Sequence, residues 1–219
     1  MVVVDGTFLT GKYRGTLLGA VAQDANRQLF PLAFGIVDSE NNSSWEWFMY
    51  QLLQVVPPSN DLVFVSDRHA SISRAVSLAY PTATHCICMW HLKQNIKGTF
   101  KKKELGKMFK KAAESYTIQE FNSHLAQIEA TCPKLLEYLV SAGFDKWARA
   151  HSRCDRYNMM TSNNAESLNS VFKGKKNYPI VALVEFAREK LTSWFMDRRE
   201  NALANEDTLT PEILKLIRE

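Results

Sequence analysis

The sequence has only four cysteines in 219 residues, at positions 86, 88, 132 and 154. That is too few, in a chain this long, for a disulfide scaffold, so reduced thiols in the cytosol or nucleus are expected. No stretch approaches the ~20 apolar residues of a membrane span. The opening MVVVDGTFLT has no basic n-region and carries an acid at position 5, so it is not expected to act as a signal peptide. A β-strand is entered almost at once, as expected of a piece cut from a longer protein. Internal repeats and low-complexity linkers are absent, and residues 89–151 contain no strand signal. With 46% hydrophobic and 23% charged residues, disorder, collagen and coiled coil are excluded for the whole chain. A chain of this size can bury roughly 70% of its unfolded surface. One domain, or one domain with a large insertion, follows.

The net charge of +4 is unevenly placed. Residues 1–90 hold five Lys/Arg against seven Asp/Glu, and the remainder holds 22 against 16. An acidic front and a basic back suit carboxylates that do chemistry beside lysines that hold a polyanion.

Hydrophobic patterning divides the chain. Residues 2–9, 13–23 and 28–37 read as strands joined by two short turns, an antiparallel meander. Residues 43–56 change to helical spacing, with Ser43 or Ser44 as cap, Glu46 in the first turn and Pro57-Pro58 as the stop. A buried strand at 61–66, a helix at 69–79 and a short strand at 82–88 follow. The order β-β-β-α-β-α-β, with later strands arriving through right-handed crossovers, places strand 4 beside strand 1. That is the strand order of the ribonuclease H-like fold, an α/β mixed sheet. Helices are expected at 90–100, 104–115, 117–131, 134–141 and 144–150, with Thr117 and Glu120 as a capping box. They form a large all-helical insertion. A helix at 163–173, capped by Asn163 or Ser162, a long helix at 180–199 and a short one from Thr210-Pro211-Glu212 complete the chain. The expected division is a first core part at 1–88, the insertion at 89–152, a second core part at 153–200 and an extension at 201–219.

Asp5 and Asp67 each interrupt or end an apolar strand. An ionised carboxylate beside a sheet core is costly unless it is paired or holds a cation. Because strands 1 and 4 are neighbours, the two should meet, and two hard oxygen ligands together invite Mg²⁺ or Mn²⁺. Glu166, in the polar patch that opens the helix after the insertion, is the third acid needed to hold two such ions. Asp24, Asp38, Asp61 and Asp155 are set aside as turn, strand-start or arginine-paired acids. His85, Cys86, Cys88 and His91 have the residue types of a zinc site. No second cluster is spaced like a finger. A buried cysteine and a hydrogen-bonded histidine are expected instead, and zinc is not. Residues 93–111 carry eight lysines against one acid, Glu104. Lys93, Lys97, Lys101, Lys102 and Lys103, continued by Lys173, Lys175 and Lys176, are candidates for contacting a nucleic-acid backbone. A solvated helical face is the plain alternative. Core packing is expected for Trp90 and Trp147, with base stacking as the other option.

The stretches DGTFLTGKYRGTLLGAVAQDANRQLFPLAFGIVDSENNSSWEWF, LVFVSDRHASISRAV, CMWHLKQN and TSNNAESLNSVF resemble the Mutator-like element (MULE) transposase domain of plants, from Val2 to about Glu200. The resemblance implies a ribonuclease H-like DDE transposase core that hydrolyses phosphodiesters at transposon ends and transfers strands, using two Mg²⁺ or Mn²⁺ ions. The family's acids map onto Asp5, Asp67 and Glu166, and its Cys-x-x-His motif onto Cys88 and His91. Terminal inverted repeats and target DNA are the implied partners, the nucleus is the implied location, and oligomeric state is left open. Full-length relatives carry an N-terminal DNA-binding region and a C-terminal SWIM-type zinc finger. The CxC…CxH pattern of that finger does not occur after residue 199, so recognition of transposon ends by this stretch alone is not expected. Plant regulators of the far-red-impaired-response type also resemble this domain. A non-catalytic, DNA-binding descendant is therefore the alternative, and the complete acid triad speaks for the enzyme.

Overall fold

The computed structural model describes residues 1–12, 14–154 and 159–218. Tyr13, expected in the second strand, and Asp155 lie outside them. Five strands form one mixed sheet in the order β3-β2-β1-β4-β5. β1 (Val2–Phe8), β2 (Thr16–Gln23) and β3 (Leu29–Val37) are the antiparallel meander. β4 (Val63–Ser66) and β5 (Thr84–Ile87) run parallel to β1, so strand 4 lies beside strand 1 as expected.

β2 starts at Thr16, three residues later than its apolar pattern suggests. The cause is local. Leu9 N–H bonds to Gly15 O at 2.9 Å, and Arg14 and Gly15 both take positive φ, 50° and 106°. A Cβ on Gly15 would stand 2.6 Å from Val37 O, so only glycine fits that corner.

α1 (Asn42–Leu52) and α2 (Ala70–Ala79) cover one face of the sheet. Asn41, not Ser43 or Ser44, caps α1; its Oδ1 accepts the Ser44 N–H at 2.9 Å. α1 also ends at Leu52 rather than Val56, and residues 53–56 close as turns. Moving the cap back takes Glu46 out of the first turn, where it pairs with Arg74 of α2 at 2.6 Å. Val2, Val4, Leu18 and Ala20 pack against Trp45, Phe48, Ile72 and Val76 on this face. Each large side chain buried here contributes roughly 1.5–3 kcal/mol.

The helical stretch comprises α3 (Met89–Phe100), α4 (Lys103–Glu114), α5 (Ile118–Thr131), α6 (Pro133–Ala142) and α7 (Phe144–Trp147), then a 3-10 turn over Arg149–His151. The Thr117–Glu120 capping box is present. The single helix expected at 144–150 is broken at Ala148, which is extended. These helices enclose their own core around Phe109, Phe121, Leu139 and Trp147. Trp147 is fully buried, as expected; Trp90 is not core but 43% exposed.

The other face of the sheet is covered by α8 (Asn163–Val171), a 3-10 turn over Lys173–Lys175, and α9 (Ile180–Ala204). Here Val3, Leu17 and Val65 meet Ala165, Leu168, Phe172 and Leu183. α9 runs five residues past its expected end, and of its apolar side only Leu183 is buried. Phe195 instead meets Phe30 edge-on, 5.1 Å between ring centres. α10 (Pro211–Arg218) is the last element. No helix among the described residues is long and apolar enough to cross a membrane.

Candidate active site

Register places the first two acids. Val3 of β1 pairs with Val65 of β4, so Asp5 lies two residues further along β1 and Asp67 two residues further on, just past the end of β4. Alternation puts Val3 and Asp5 on the same face, the one covered by α8. Asp5 feels its neighbours strongly. Burial first, then the charge of Asp67 and more weakly that of Glu166, push its carboxyl up to about 7, against an opposing pull from His91 and the Gly6 amide. A carboxylate raised by crowding is one that a cation would relieve.

α8 brings the third acid. Its Ala165 and Leu168 are buried against β1 and β2. Asn169, one turn on from Glu166, donates from Nδ2 to Asp5 Oδ2 at 2.9 Å. Glu166 Oε1 accepts from Ser162 Oγ at 3.2 Å and lies 4.0 Å from His91 Nε2.

Cys88 and His91 join this cluster. Cys88 is fully buried, and its Sγ accepts from Ser162 N at 3.1 Å. His91 Nδ1 is 3.3 Å from Ser162 Oγ. Burial pushes the Cys88 thiol up, but hydrogen bonds with His91 and Ser162 outweigh it and leave the thiol below its ordinary value. His91 is raised, chiefly by its hydrogen bond to Cys88, against burial and with help from Asp67 and Glu166.

Behind Asp67, Ser66 Oγ donates to Asp67 O and lies 2.8 Å from His85 Nε2. Burial above all, with Lys146 adding, drives His85 down to about 4, so this ring is neutral and donates to Ser66. Asp67 Oδ1 accepts the His69 N–H at 2.9 Å, which turns the chain into α2.

All the nearby acids offer carboxylate oxygens, the donor type of a hard divalent cation. In the positions seen, no three His, Cys, Asp or Glu among the described residues stand close enough to hold one ion between them. The donor chemistry of these carboxylates fits Mg²⁺ or Mn²⁺.

The lysines divide into two groups. Lys101, Lys102 and Lys103 are exposed at the α3–α4 junction, where Lys101 takes φ 53°. Lys93 and Lys97 are half-buried, their stems against Gly106. Lys173 is exposed, and Lys175 Nζ bonds Tyr178 Oη at 2.7 Å. Lys176 Nζ bonds Thr7 Oγ1, two residues from Asp5, at 2.5 Å. Asp24 and Asp38 are spent on turn amides, as expected of set-aside acids. Ser162, Ser66 and Thr7 are polar partners of the site that sequence reasoning did not single out. The signal for Ser66 was faint: a serine closing the apolar run DLVFV just before an acid.

An α/β domain with a mixed five-stranded sheet, bearing Asp5 within β1 and Asp67 just past β4, is the class that fold and site define. Residues 1–95 match the family model of the MULE transposase domain, bearing out over that stretch the resemblance read from the sequence. The match includes Asp5, Asp67, Cys88 and His91, and Glu166 lies beyond it. Protein FAR1-RELATED SEQUENCE 4 of Arabidopsis thaliana is 24% identical over 132 residues, which cover 56% of this chain and 18% of that protein. The chain thus spans less than a fifth of that relative's length.

Proposed function

We propose that this chain is the catalytic domain of a DDE-type DNA transposase with a ribonuclease H-like core, acting in the nucleus on transposon ends and target DNA. Residues 1–88 and 153–200 form the core, 89–152 the insertion and 201–219 an extension. The observation that carries the reading is geometric: β4, which leads into Asp67, pairs with the strand of Asp5, and α8, which carries Glu166, is tied to Asp5 by Asn169.

Asp5, Asp67 and Glu166 would hold two Mg²⁺ or Mn²⁺ ions, whose chemistry is to activate water and neutralise charge developing on a phosphate. Asn169 fixes one oxygen of Asp5 from α8. Lys176, bonded to Thr7 near Asp5, and the exposed Lys173 would contact a DNA backbone, and Lys93, Lys97 and Lys101–103 would add contacts from the insertion. Hydrolysis at the transposon end would free a 3′-hydroxyl, and its attack on target DNA would use the same site. Most of the rate would come from positioning and charge rather than covalent chemistry.

The similarity to Protein FAR1-RELATED SEQUENCE 4 supports a second reading, a transposase-derived DNA-binding regulator that does not cut. Nicking of a labelled duplex bearing the element's terminal repeat separates the two. The assay uses this domain joined to its flanking regions, with Mn²⁺. Wild type should nick and Asp67→Asn should not. A folded, DNA-bound wild type that never nicks supports the regulator.

A further inference from the structure

Ser162 stands at the N-cap of α8, where a serine ordinarily turns its hydroxyl back to accept a helix amide. Here it makes no such bond. The side chain is fully buried and its hydroxyl faces three groups: Cys88 Sγ at 3.2 Å, His91 Nδ1 at 3.3 Å and Glu166 Oε1 at 3.2 Å. A hydroxyl has one proton, so it cannot donate to both sulfur and carboxylate. The charged oxygen is the stronger acceptor. The consistent assignment gives the hydroxyl proton to Glu166 and leaves Cys88 Sγ the Ser162 N–H at 3.1 Å. An Nδ1–H of His91 then donates to the hydroxyl oxygen. Next to this, Met89 N–H bonds Met160 O at 2.8 Å. The start of α3 is therefore joined to the segment that leads into α8, next to the Ser162 contacts with Cys88 and Glu166.

We propose that Cys88, Ser162 and His91 form a clasp that sets the Glu166 carboxylate, with Ser162 as the positioning residue and Cys88 as the anchor that holds it. The Cys-x-x-His pair then works through its geometry rather than as a metal ligand or nucleophile. It couples the placement of the insertion to the placement of the third acid. The clasp rests on the transposase reading only in what it positions Glu166 to do.

The test compares Ser162→Ala, Cys88→Ala and Cys88→Ser with wild type, using Mn²⁺ titrations followed by thermal shift, nicking kinetics, and hydrogen exchange of the α8 amides. Substitutions that disorient a ligand from behind typically weaken metal binding about 10- to 100-fold. Ser162→Ala should therefore lose Mn²⁺ affinity by at least about tenfold and lower kcat with little change in KM for DNA. Cys88→Ala should do the same, and Cys88→Ser, which keeps an acceptor for the Ser162 N–H, should restore most of it. Exchange at the start of α8 should quicken in both alanine variants. Unchanged exchange overturns the clasp, whether or not wild type binds Mn²⁺. Faster exchange with wild-type Mn²⁺ affinity overturns the positioning role and leaves Ser162 a packing residue. A wild type with no Mn²⁺ response, matched by Glu166→Gln, defeats the transposase reading instead. Exchange then still decides whether Ser162 holds α8.

Discussion

Asn169 Nδ2 lies 2.9 Å from Asp5 Oδ2, a contact between residues 164 positions apart. It ties the helix that carries Glu166 to the strand that carries Asp5. One donor cannot offset the burial and the neighbouring charge, and the Asp5 carboxyl remains at about 7. The folded state therefore prefers Asp5 protonated. Its contribution to stability is complete below the unfolded value near 3.8 and is lost as pH rises through about 7. In EDTA, Asp5→Asn should melt higher than wild type at pH 8, by about 2 kcal/mol or ~4–8 °C. The gap should close as pH falls to 4. Parallel melting curves for the two proteins between pH 4 and 8.5 would show that Asp5 is not strained.

His85 gives the opposite slope in the same window. Its ring is held neutral, with the pKa lowered to about 4 from 6.5. The stability it contributes is present above the unfolded value and is lost as pH falls through 6.5 toward 4. His85→Gln keeps an N–H for Ser66 Oγ and removes the titration. Between pH 6.5 and 4 it should lose about 1–2 kcal/mol less than wild type. Because Asp5 and His85 oppose each other, the wild-type profile should be flatter than that of either variant. A wild-type profile steeper than both would contradict the pair of assignments.

The strand order and the placing of β4 beside β1 were legible because they depend on period-2 patterning and on the handedness of crossovers. Both act over short stretches. The capping box at Thr117 was readable for the same reason. The break at Ala148, the late start of β2 and the true cap of α1 were not. The start of β2 depends in part on Gly15 lying against Val37 O, outside the local pattern, whereas the α1 cap was missed among neighbouring polar residues that could all have capped it. Trp90 looked like core because tryptophan usually is; its outward direction depends on how α3 leaves the sheet. Ser162 is the N-cap, one of the two positions expected, but the other contacts of its hydroxyl were not legible, since nothing in TSNNAES shows that Cys88, 74 positions away, approaches it.

Lys101, Lys102 and Lys103 form an exposed corner between α3 and α4. Replacing all three with Gln should weaken binding to duplex DNA and flatten its salt dependence. Each lost phosphate contact lowers the slope of log K against log salt by about 0.9. Filter binding between about 50 and 200 mM salt reads it directly. A slope equal to that of wild type would return the corner to a solvated helix face.

Glu166 tests the whole reading of the site. Its helix packs through Ala165, Leu168 and Phe172, all buried, and the Glu166 side chain takes no part in that packing. Glu166→Gln keeps the side-chain shape and a comparable helix propensity. The Gln carbonyl can still accept from Ser162, so the fold should be retained. Stability should hold or rise slightly, because one of the charges raising Asp5 is gone. Cleavage should fall by about 100-fold or more, because a two-metal mechanism loses a ligand from its clamp on the reacting oxygens. Mn²⁺-dependent nicking and thermal melting on the same preparations separate the two effects. If Glu166→Gln nicks as fast as wild type, Glu166 is a surface residue of α8 and the third ligand lies elsewhere in the chain.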